Sequence, residues 1–234
     1  MSDQKELLEK IKGIGHWRVL LRPTQFEPQR VATLGEGWNL VEANRVSLRG
    51  WDYPHVELEG KSQGNDWIGS GIDWEAYGHI ELWRLYQSGQ FVHYFACIED
   101  YHKLSRQSSE GTPDHYLLWV NTLFLMTEIF EFATRLAAKS LFEPGVDISI
   151  KLAKTEGREL TYDRFQDHLR RGYKATHTDI RFERTYGAGA LLTGGRELAV
   201  EAAIHFLERF GWLSPPRDAL SDRQRQFVEK RSWW

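Results

Sequence analysis

Hydrophobic positions along the chain switch repeatedly between helical and strand periods. Leu7, Leu8 and Ile11 form one apolar stripe among charges, Asp3 and Glu6 make a capping pair and Gly13 supplies a stop, which predicts a short helix over 3–12. HWRVLLRP (16–23) predicts a strand closed by Pro23, and Val31, Leu34, Trp38 and Val41 return to helical spacing between Pro28 and Asn44. VSLRGW (46–51) predicts the next strand, left through a turn at DYPH because Pro54 holds Tyr53 extended. A polar loop at 57–65 and a strand at DWIGSGID follow. HIELWRLYQ and QFVHYFACIED, separated by Ser88-Gly89, then predict a β-hairpin.

With Ser88 and Gly89 as a two-residue loop, Tyr86 opposes Phe91, Arg84 opposes His93 and Leu82 opposes Phe95. His93 then shares a face with Ile80, Leu82, Arg84 and Tyr86, while His79, Glu81, Trp83 and Leu85 occupy the other. Both faces are largely apolar, so the hairpin is expected to be central and covered on each side. A slip of one residue would exchange the faces.

In the second half, SRQSSEGTPD (105–114) reads as a linker before a long helix from about Asp114 to Phe142. Its polar residues Asp114, Asn121, Glu128, Glu131, Arg135 and Lys139 fall on one narrow stripe, so the helix is either the spine of the fold or covered by a second copy of the chain. VDISIKLAK and RELTYDRF flank a turn at 155–157 and predict a second hairpin. A basic segment HLRRGYK, a strand DIRFERTY, a helix from about Gly195 to Phe210 and a polar tail ending in Trp233-Trp234 complete the chain. The expected fold is α+β: a mainly antiparallel sheet with a central hairpin, packed against one long helix and one shorter C-terminal helix. It is read as one domain, 1–234, whose subdivision point near 105–113 separates a strand-rich half (1–104) from a helix-rich half (114–234).

Composition narrows the function classes. Lys and Arg number 30 against 33 Asp and Glu, a net charge of −3, so no globally basic nucleic-acid coat exists. A 13% aromatic content excludes intrinsic disorder. Cys97 is alone, which removes an internal disulfide, a zinc ribbon and a CxxC couple, and fits a reducing compartment. The N-terminus lacks the apolar core of a secretory signal, and the most apolar run, His115 to Thr127, is shorter than the roughly 20 residues a bilayer requires. A cytoplasmic protein without membrane contact is expected.

Candidate chemistry is concentrated between Arg49 and Asp100. Asp52 and His55 are separated by the rigid Pro54, and His79 and Glu81 share a strand face. Together with His93 they are the set from which a metal-dependent hydrolase or nuclease would be built. Five Trp fall between residues 38 and 83. Because Trp, Tyr and Arg dominate interfaces, the other reading is a non-enzymatic binding or accessory module acting through Arg49, Trp51, Tyr53, Trp83 and Arg84 on a protein partner or a second copy of the chain. A third places nucleic acid at Arg170, Arg171, Lys174 and Arg181 beside Tyr173, with a second basic group at Arg223, Arg225, Lys230 and Arg231; neighbouring acids dilute both. No GxSxG, HExxH, Walker or GxGxxG signature occurs, Cys97 reads as an inert core thiol, and no cofactor is implied.

VSLRGWDYPHVE and HIELWRLYQSGQFVHYF resemble a group of bacterial proteins carrying an RGWDYPH-type segment followed by a WRxYQSGQF hairpin. The resemblance spans roughly residues 17–100. Members sometimes carry, or sit beside, an AlbA-type Schlafen-like domain suspected of binding nucleic acid or ATP, and often occur among anti-phage genes. The resemblance therefore implies a bacterial defence setting. It assigns no catalytic residue, and this chain shows no AlbA-like module of its own.

Overall fold

The structure is a computed structural model that describes residues 4–101, 115–161 and 172–230. The chain runs α1 (Gln4–Gly13), β1 (His16–Pro23), α2 (Leu34–Asn44), β2 (Val46–Ser47), β3 (Asp52–Tyr53), β4 (Lys61–Gln63), β5 (Trp67–Trp74), β6 (His79–Tyr86), β7 (Phe91–Ala96) and α3 (Ile98–Tyr101). It continues β8 (Tyr116–Leu118), α4 (Trp119–Ala137), β9 (Gly145–Ala153), β10 (Glu159–Thr161), β11 (Tyr173–Lys174), β12 (Asp179–Gly187), α5 (Ala188–Arg209) and α6 (Arg217–Lys230). The fold is α+β, as the patterning predicts.

Seven strands form one antiparallel sheet in the order β12-β9-β1-β7-β6-β5-β4, with the β6–β7 hairpin at its centre. Strand β9 lies between β1 and β12, so both halves of the chain contribute to the same sheet. Trp17, Val19 and Leu21 of β1, Trp83 and Leu85 of β6 and Phe91 of β7 face the main core, which α2, α4, α5 and α6 cover. On the opposite face α1 packs Leu7 and Ile11 against Ile80, Leu82 and Ala96, a smaller second core. No helix among the described residues is long and apolar enough to cross a membrane.

Three expectations change. The hairpin register is one residue from the two-residue-loop pairing: Trp83, not Arg84, opposes His93, and Leu85 opposes Phe91. The loop holds three residues, 87–89, closed by Tyr86 N–H donating to the Gln90 carbonyl (2.9 Å), with Gly89 in the left-handed region at φ 83°. The second hairpin does not form: both edges of β9 are taken by β1 and β12, so β10 joins β8 in parallel and β11 antiparallel. The polar tail contains α6, whose Leu220, Gln224 and Phe227 are buried, Phe227 stacking on Phe124 at 3.9 Å between centroids.

Helix α4 starts later than its apolar pattern suggests, because Tyr116–Leu118 are drawn into the small sheet with β10. It is the spine of the fold: the sheet, α2, α5 and α6 surround it within a single chain, and even Glu128 is buried. Helix α2 begins at a capping box, where Thr33 Oγ1 accepts from Glu36 N–H and Glu36 accepts from Thr33 N–H. The linker at 105–114 lies outside the described residues.

Candidate functional site

The one-residue shift in register creates the site. His79, Glu81 and Trp83 point to the same side of the sheet as His93 and Phe95, and His93 Nε2–H donates to Glu81 Oε2 at 2.8 Å. A carboxylate can only accept, so the proton sits on Nε2. Glu81 Oε1 accepts from Trp51 Nε1–H (2.9 Å), and Oε2 also from the His55 backbone N–H (3.3 Å). One buried carboxylate thus joins the hairpin to the RGWDYPH segment.

Trp51 is clamped between two imidazoles. His79 stacks on one side at 3.7 Å between centroids and 8°, His55 at 4.0 Å and 15°. Both stackings fill an indole face, so Trp51 braces the site instead of offering a flat face to a partner. Trp74 meets its edge, and Tyr77 extends the cluster to the surface.

Beneath this cluster lies a cavity of about 280 Å³, between the β1–β7–β6 face and α4 and closed by residues 49–53, α3 and β8. Its apolar walls include Trp17, Phe95, Ile98, Leu117 and Leu125. Its polar wall comprises Arg49, Asp52, Tyr53, His79, Glu81, His93, Glu99, Asn121, Thr122 and Glu128. Arg49 grips Glu128 bidentately, Nε to Oε1 at 3.0 Å and Nη2 to Oε2 at 2.7 Å. Two of these residues have polar tips, Tyr53 Oη and His93 Nδ1, that are fully buried and have no hydrogen-bond partner among the described residues. Each orphaned polar group costs about 1–3 kcal/mol.

Burial acts on both central carboxyls but with opposite outcomes. It pushes Glu81 up, yet the hydrogen bond and charge of His93 and the Trp51 N–H outweigh it, leaving Glu81 below the ordinary carboxylate value. In Glu128 burial wins over Arg49, and the neighbouring Glu81 adds to it, so this carboxyl lies above that value. Burial, reinforced by Glu81 and Glu128, holds the Tyr53 phenol well up, so it remains a neutral hydroxyl.

Of the five residues read as a catalytic cluster, His55, His79, Glu81 and His93 converge around Trp51 and Glu81. Asp52 turns toward Arg45 (3.2 Å) and the Ser47 hydroxyl. Among the described residues, no group of three or more His, Cys, Asp or Glu side chains could hold a metal ion.

The proposed aromatic binding surface needs correction. Trp83 is 0% exposed, packs against Trp38 and Phe91 and donates its indole N–H to the His55 carbonyl (2.7 Å); it is core. Tyr53 is likewise buried, within the cavity wall. Arg84 lies on the opposite sheet face, bonded to Gln4 Oε1 and set over Trp67. Arg49 does belong to the site, as an internal ion pair.

Of the nucleic-acid set, Arg170 and Arg171 lie outside the described residues. Lys174 pairs with Glu159, and Arg181 stands beside Lys151 and Arg18 in a cross-strand row on the open sheet face. Sequence reasoning places Glu99 only within the broad 49–100 cluster and does not identify Asn121 and Glu128 as site residues. The spacing of Asn121 and Glu128 on α4 placed them on one stripe, but nothing local showed that this stripe faces the cavity. No protein family, curated protein or solved structure matches the chain, so what the site does rests on its chemistry alone.

Proposed function

We propose that this chain is a small-molecule binding module whose site is the cavity beneath Trp51. The observation that carries the reading is the cavity itself, which is of ligand size, walled by aromatic and aliphatic side chains and lined by a few convergent polar groups. The clamped Trp51 and the Arg49–Glu128 pair fix the surrounding walls before binding, which preserves affinity by limiting what must be ordered. A bacterial defence setting for such a module is supported by the RGWDYPH-type and WRxYQSGQF resemblance.

A fragment screen by thermal shift tests this reading against a filled cavity. Hits should raise the melting temperature of the wild type but not of Leu125→Trp, a substitution that fills the cavity from α4. Equal shifts in both proteins would overturn it.

A second reading, a hydrolase, is favoured by the Glu81–His93 dyad. A buried carboxylate that holds and orients one imidazole nitrogen is the orienting half of a general-base arrangement. It predicts turnover of p-nitrophenyl acetate above the rate of the His93→Gln variant, and equal rates refute it. Its metal-dependent form has no ligand set among the described residues.

A further inference from the structure

Among the described residues four carboxylates line the cavity, and three of them have strong partners. Asp52 has Arg45 and Ser47, Glu81 has His93 and Trp51, and Glu128 has both arms of Arg49. Glu99 differs. It is 3% exposed, and the two donors it has among the described residues are neutral and distant: Leu118 N–H at 3.3 Å and Asn121 Nδ2 at 3.2 Å. Arg158, whose charge reaches it, is committed to Asp100 at 2.8 Å. A buried carboxylate in this position is stabilised most by a cation brought to it.

Two further features sharpen the complement. Arg49 is already engaged by Glu128, so it is not available to pair with an anionic ligand. The remaining wall is aromatic and aliphatic: Trp17, Phe95, Ile98, Leu117 and Leu125.

We infer that the cavity takes a small ligand with an apolar, ring-sized body and a cationic nitrogen, its charge set against Glu99 and its body against the apolar wall. This rests on the reading of the cavity as a ligand site. An ammonium or protonated ring nitrogen supplies the donors that a carboxylate needs and gains from nearby aromatic faces. An anion of the same shape meets uncompensated negative charge.

Three probes that share a phenyl body and differ in charge test the inference: 2-phenylethylamine, 2-phenylethanol and 3-phenylpropionate. Titration calorimetry of the full chain at neutral pH should show the amine binding at least tenfold more tightly than either of the others. Glu99→Gln should remove that preference. If the alcohol or the acid binds as well as the amine, or a folded Glu99→Gln variant keeps the preference, the charge assignment is overturned while the cavity remains a ligand site. If none of the three binds at millimolar concentration, both readings are overturned. Should Glu99→Gln fail to fold, the wild-type comparison decides.

Discussion

Replacing Arg49 with Met isolates the energetics that hold the site together. The substitution keeps most of the aliphatic stem and removes two charge-assisted bonds, at 3.0 and 2.7 Å, from Glu128, whose side chain is only 2% exposed. Leaving a buried carboxylate without its cation costs about 3–5 kcal/mol, a large part of the roughly 5–15 kcal/mol that holds a typical domain folded. The loss should depend on pH in a defined direction. Glu128 already lies above the ordinary carboxylate value through burial, so its contribution favours the folded state at low pH and declines as pH rises through the folded value. Without Arg49 that value rises further, and at acidic pH the group takes a proton, which reduces the penalty to the roughly 1–3 kcal/mol of a neutral buried polar group. Urea unfolding followed by Trp fluorescence at pH 8, 6.5 and 5 measures this directly. The Arg49→Met/Glu128→Met double variant should regain most of the lost stability. A loss below about 1 kcal/mol at every pH, the usual worth of an exposed pair, would refute the claim that this ion pair is buried and structural.

Other consequences are checked as readily. Glu81→Gln removes a carboxylate held below its ordinary value, whose stabilisation is present above the unfolded value and lost as pH falls through the folded one; the stability gap to wild type should be widest near neutral pH and close in acid. Trp83→Ala, at a side chain 0% exposed and bonded to the His55 carbonyl, should cost about 3–5 kcal/mol, whereas Trp74→Ala, at 45% exposure, should change stability by about 0.5 kcal/mol or less in the same denaturation assay. Cys97 is buried and its thiol pushed well up by that burial, so a disulfide reagent such as DTNB should leave the native protein unmodified and titrate one thiol only after unfolding.

Much of the fold is legible in local pattern. Strands β1, β5, β9 and β12, the central hairpin and the apolar α4 each announce themselves through periodicity and turn residues, because each buries a face that its own sequence defines. What local pattern leaves open is pairing. Ser88-Gly89 reads as a two-residue turn, but Gly89 instead closes a three-residue loop at positive φ. That single residue decides which face His93 occupies, and therefore whether it meets Arg84 or Glu81. The parallel pairing of β10 with β8 brings together segments about 40 residues apart, and turn chemistry carries no signal for it. Helix α6 has three buried positions spaced over two turns in an otherwise polar segment, too thin a stripe to stand out.

The candidate site divides along the same line. Residues 49–55 and 79–93 stand out as a dense cluster of His, acids and Trp, and the structure brings most of them together. Arg49 reads as a surface cation until Glu128, 79 residues away, supplies the reason for its burial. Trp83 and Trp51 are alike by composition, yet one fills the core and the other is braced between His55 and His79. Residue type identifies where chemistry is concentrated; three-dimensional pairing determines which groups are already satisfied and which remain for a ligand.

A crystal structure of the protein soaked with 2-phenylethylamine tests the central claim most directly. Density is expected in the cavity, with the ammonium beside Glu99 and the ring against Trp17, Phe95 and Leu125. An amine found only on the exposed Trp74–Tyr77 surface, with the cavity unaltered, would contradict it.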